Sequence, residues 1–160
     1  MNNHSDQGDT GVFMERLIHE SGSVRYGFYD QAVDCNYKDY HLSTTMTVAE
    51  MLKWFRVSQF IFLGISSSDI SAGIAVADLK YLANASLYVY DRKSRELIET
   101  KRMALPSNVF ISRYPDELSC IFDTKELHIE MADGKVSGKS ETLSIDAELD
   151  MMSAPLLRLC

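Results

Sequence analysis

The residues with the most tempting spacing are Gly134-Lys135-Val136-Ser137-Gly138-Lys139-Ser140, which end like a phosphate-binding loop. That loop needs four residues between its glycines and a helix behind it, so that backbone N–H groups face the phosphates. Here three residues separate the glycines, and Thr142 to Asp150 alternates apolar and polar in the manner of a strand. Asp133-Gly134 also reads as a hairpin turn. The stretch is therefore expected to be a β-hairpin without a nucleotide.

A second candidate is Asp78. Ile74, Val76 and Asp78 share one face of a strand, so a carboxylate extends an apolar row. A carboxylate in such a row needs a partner, and Arg56 is the expected one. Asp78 is equally readable as a turn former at a strand end. The aromatic set Trp54, Phe55, Phe60, Phe62, Tyr81, Tyr88 and Tyr90 is dense for so short a region. It reads either as core packing or as the lining of an apolar ligand cavity, in which a few polar groups orient the ligand. The expected ligand-binding residues are Trp54, Arg56, Asp78 and Tyr81. An isomerase or hydratase on an apolar substrate, with Asp78 as general acid, is the catalytic alternative.

Other chemistry finds no support. The histidines His4, His19, His41 and His128 show no metal-ligand spacing, and no metal or other cofactor is expected. No Gly-x-Ser-x-Gly elbow occurs. Cys35, Cys120 and Cys160 form no Cys-x-x-Cys pair and read as reduced, incidental thiols. The net charge of −7 offers no footprint for nucleic acid or an anionic membrane. No apolar run approaches the ~20 residues needed to span a bilayer as a helix. The polar start, MNNHSDQGDTG, lacks a signal-peptide core, so the chain is expected to be cytoplasmic.

The elements that must position these residues read as strands. The 160 residues suit one domain, taken as a flexible tail over 1–11 and a β-rich unit over 12–160. Val12 to His19 is expected to be a short helix, with Gly22 beyond its end. Strands are expected over 54–65, 73–78, 83–90, 96–102 and 118–123, with turns at 66–69 and 91–95. A loop is expected between Pro106 and Pro115. In the last hairpin Leu127, Ile129 and Met131 point one way, and Leu143, Ile145, Ala147 and Leu149 do likewise. This alternation marks antiparallel sheets with one wet face. The fold class is therefore all-β, an antiparallel meander forming part of a sandwich or open lipocalin-like barrel with little helix.

The ordered set Leu52-Lys53-Trp54-Phe55-Arg56, Phe60 to Ile65, Ile74 to Tyr81, Leu87 to Arg92 and Leu105-Pro106 resembles domain-of-unknown-function family 2804. The Ala77-Asp78-Leu79-Lys80-Tyr81 element and the strand ending in Tyr90-Asp91 are its most specific parts. The resemblance covers roughly residues 14–157 and implies a β-rich domain longer than this chain. It assigns no catalytic residue. The apolar run Ala154 to Cys160 agrees with a truncated sheet system. An exposed sheet edge would then invite self-association. The expected partner is a hydrophobic small molecule, and the remaining alternative is a truncated chain without independent activity.

Overall fold

The computed structural model describes residues 15–29, 33–41, 52, 55, 57–114 and 117–150. Near the start, strands β1 (Glu15–Arg16) and β2 (Val33–Asp34) pair in parallel. They bury Leu17, Ile18 and Val33 in a small core of their own. The buried Asn36 acts as a strand partner. Its Oδ1 accepts from Ile18 N at 2.9 Å and its Nδ2 donates to Ile18 O at 3.0 Å. A short 3-10 turn, Tyr37–Asp39, follows.

The described part of the expected helix over 12–19 is therefore extended. Gly22 sits at φ +80° within a tight turn, where His19 N donates to Ser23 O and Gly22 N donates to His19 O. The glycine closes a β-turn rather than a helix, because Ile18 pairs with Val24 across it.

Four strands then run as a meander: β3 (Gln59–Ser66), β4 (Ile70–Asp78), β5 (Ala83–Asp91) and β6 (Glu96–Ala104). They hydrogen-bond in chain order and all pairs are antiparallel. A second meander of β7 (Val109–Ile111), β8 (Cys120–Asp123), β9 (Leu127–Ala132), β10 (Lys135–Ser140) and β11 (Ser144–Glu148) forms the other sheet. Both sheets are open, so the fold is a sandwich rather than a closed barrel.

Period-two alternation builds the core. Ile74, Val76, Ala85 and Leu87 from the four-stranded sheet meet Phe122, Ile129, Met131 and Val136 from the five-stranded sheet. Each large side chain so buried contributes ~1.5–3 kcal/mol. At one end of the sandwich Thr100 Oγ1 lies 3.1 Å from Ser140 Oγ and 3.3 Å from Thr142 Oγ1, so hydroxyls join β6 to the other sheet.

The hairpin expected at Asp133-Gly134 forms, with both residues at positive φ. The Gly-Lys-Ser stretch is strand β10. The loop expected between the prolines instead holds β7, three residues long and antiparallel to β8. A run of three apolar residues carries too little alternation to announce itself.

The described members of the aromatic set, Phe55, Phe60, Phe62, Tyr81, Tyr88 and Tyr90, do not make the core. Phe60 is 67% exposed and Phe62 is 52% exposed, on the outer face of β3. They share parity opposite to Ile61 and Leu63, which pair with the buried Val76 and Ile74. One face of the strand must be outward, and the aliphatic row is the one that fits between the sheets. Phe122 is the single fully buried aromatic among the described residues.

Candidate functional site

A cleft of about 960 Å³ lies beside β3. Ligand pockets commonly span ~300–1,000 Å³. Gln59, Ile61 and Phe62 of β3 form one wall, and Val109 and Ile111 of β7 form another. Leu118 and Arg113 come from the connection between β7 and β8, while Asn36 and Tyr37 come from the N-terminal unit.

Asp78 and Lys80 stand at the polar end. Asp78 is on the inner face of β4, where the alternation placed it, opposite Gln59 and Ala83. Its partner among the described residues is Lys80. Asp78 Oδ1 accepts from Lys80 N at 2.8 Å, and Oδ2 accepts from the Lys80 ammonium. Lys80 adopts φ 70°, the left-handed region, which returns its side chain toward its own strand end. Its ammonium also donates to Gln59 Oε1 at 2.8 Å. Gln59 Nε2 in turn donates to Ile111 O at 3.2 Å, tying β3 to β7 across the sandwich. The Lys80 side chain is 7% exposed and that of Asp78 12%. Such a pair, once dry, is held by mutual dependence: removing one partner leaves a buried charge.

On the rim, Arg113 connects two units. Its Nε lies 3.2 Å from Asp34 Oδ1, an otherwise unsatisfied buried oxygen at the end of β2. Its Nη2 donates to the Tyr114 hydroxyl at 2.7 Å. That hydrogen bond foremost, and then the charge of Asp34, hold the guanidinium above its usual range. In β8 of the five-stranded sheet Cys120 is fully buried, and burial pushes its thiol up to about 11.

Of the residues expected at a site, Asp78 lines the cleft. Tyr81 is 66% exposed and is not among the residues that wall it. Trp54 and Arg56 lie outside the described residues, so the expected Asp78 partnership with Arg56 does too. Gln59, Lys80, Asp34 and Arg113 were not expected. The Asp-Leu-Lys spacing of residues 78–80 was the available signal for Lys80. A strand residue two positions on continues the same row, but only the left-handed turn folds it back onto Asp78. His128 stands on the wet face of β9, with Nδ1 3.0 Å from Asp123 Oδ1. Among the described residues no cluster of His, Cys, Asp or Glu could hold a metal ion, and no helix is long and apolar enough to cross a membrane.

The family described as Domain of unknown function (DUF2804) matches residues 9–156, most of the chain. This chain belongs to that family. The match spans both sheets and every described cleft residue. Among curated proteins and among solved structures, nothing matches.

Proposed function

We propose that this DUF2804 domain binds a hydrophobic small molecule in the cleft beside β3. The observation that carries the reading is that apolar walls, Ile61, Phe62, Val109, Ile111 and Leu118, meet a buried ion pair at Asp78 and Lys80, with Lys38, Asp39, Arg113 and Glu117 as further charged lining. An apolar enclosure supplies affinity and a few fixed polar groups supply orientation. Both Asp78 oxygens accept hydrogen bonds from Lys80, which favours a binding role over the isomerase or hydratase alternative. Cys120, a buried thiol outside any disulfide, supports a cytoplasmic setting.

Native mass spectrometry of the gently purified chain tests this. A monomer with a reproducible added mass, lost in Val109→Trp, is the expected result. The same added mass retained in Val109→Trp overturns the assignment to this cleft. Trp54 remains a candidate ligand residue, and Trp54→Ala is expected to weaken retention.

A second reading, self-association, is favoured by β3. It is an edge strand of eight residues without one charge, whereas the opposite edge, β6, carries Glu96, Glu99, Lys101 and Arg102. Charged edges resist pairing with another chain and uncharged ones invite it. Sedimentation velocity over a concentration series, with Phe62→Lys as control, tests this: a wild-type dimer that the variant abolishes is expected.

A further inference from the structure

We infer that the cleft selects a ligand with a neutral carbonyl group, a ketone or ester on an apolar body, over a carboxylate of the same length. The inference rests on the cleft being a ligand site and names what that site prefers.

Its basis is a proton count at the polar end. The Lys80 ammonium has three protons. Gln59 Oε1 and Asp78 Oδ2 take two of them, and among the described residues the third makes no hydrogen bond. The side chain is more than nine-tenths buried and lines the cleft. A charged N–H in that position gains from an oxygen brought by a ligand.

Neighbouring groups define what kind of oxygen. Gln59 cannot swing its amide N–H toward a ligand without giving up Ile111 O. Asp78 already holds Lys80 with both oxygens. The uncommitted proton at the polar end is therefore a charged donor, which favours an acceptor head. Charge then separates the acceptors. Lys80 and Asp78 together are neutral, so a carboxylate head would leave a net buried negative charge beside Asp78. A carbonyl oxygen accepts the free proton and adds no charge. An alkane fills the apolar walls but leaves the proton unserved.

The test is displacement of the neutral, solvatochromic dye Nile red from the full-length chain at neutral pH. Three competitors are compared: a medium-chain methyl ketone, the fatty acid of the same length and the alkane. The ketone is expected to displace the dye at ~10-fold lower concentration than either other probe. Asp78→Asn leaves Lys80 uncompensated and is expected to reverse the order, with the fatty acid gaining ~10-fold over the ketone. If that variant does not fold, the wild-type order decides alone. A wild-type chain that takes the fatty acid as well as the ketone overturns the inference. Equal displacement by all three probes overturns it while leaving the cleft as an apolar site. Failure to bind the dye and every probe overturns both.

Discussion

Leu87 of β5 reaches across the sandwich onto the backbone of Gly138 in β10. A Cβ at Gly138 would stand 2.9 Å from Leu87 Cδ1 and 3.3 Å from Ile74 Cδ1. The second glycine of the apparent phosphate loop is therefore explained by packing between sheets. Gly138→Ala is expected to destabilise the fold by ~1–3 kcal/mol, the usual cost of overfilling a packed core. Urea unfolding measures it. The cost should shrink in a Leu87→Val background, because that change withdraws an atom from the collision. Additive costs would show that the two residues do not compete for the same space.

The Asp78 and Lys80 pair predicts a lopsided mutational cycle. Asp78→Leu alone leaves a buried ammonium, Lys80→Met alone leaves a buried carboxylate, and each is expected to cost ~3–5 kcal/mol. Asp78→Leu combined with Lys80→Met removes both charges and should cost markedly less than the two single changes together. Chemical denaturation of the four proteins checks it. A double variant as unstable as the sum of the singles would remove the pair from the list of things that hold this sheet end together.

Cys120 predicts an alkaline limit to stability. Burial raises its thiol from 9.0 to about 11 in the folded chain. The unfolded chain ionises first as pH rises, so the stability this group provides is complete below pH 9. Above that it declines by ~1.4 kcal/mol per pH unit until about pH 11. The difference in unfolding free energy between the wild type and Cys120→Ala should therefore narrow across that window. A difference that stays constant from pH 8 to 10.5 would contradict the assignment. By the same argument Cys120 should resist alkylation in the native protein at pH 8 and react once urea unfolds it.

Arg113 predicts a local effect. Its contact with Asp34 links the N-terminal unit to the five-stranded sheet. Arg113→Ala should speed amide exchange over residues 33–41 and leave β4 and β5 unchanged. Added salt should do the same to the wild type, because Arg113 is largely exposed. Uniform acceleration throughout the chain would mean that the arginine supports the whole fold instead.

Much of the sandwich was legible because its later strands alternate cleanly. Leu127, Ile129 and Met131 are all fully buried, as their spacing required. Asp78 was legible by parity alone. Phe60 and Phe62 were not, since Ile61, Leu63 and Ile65 between and beyond them are apolar too, and an unbroken apolar run hides which face turns inward. Lys80 was hidden by a left-handed backbone that no spacing rule announces. Asp34 and Arg113 are far apart in sequence and meet only through tertiary folding. The segment at Glu15 to His19 misled because a glycine after an amphipathic run serves a helix end and a β-turn equally well.

The contrast between the bare β3 edge and the charged β6 edge also has a geometric consequence for assembly. A sheet that can be extended on one side only cannot propagate. If two copies join through β3, each consumes the other's sole open side, and the joint is two-fold symmetric. The product would be a continuous eight-stranded layer that ends at charged margins both ways. Further growth of that sheet would require a second sticky margin, which β6 denies. The same pairing would seat one chain's β3 beside its neighbour's cleft, so that dimerisation and ligand entry would compete for one surface.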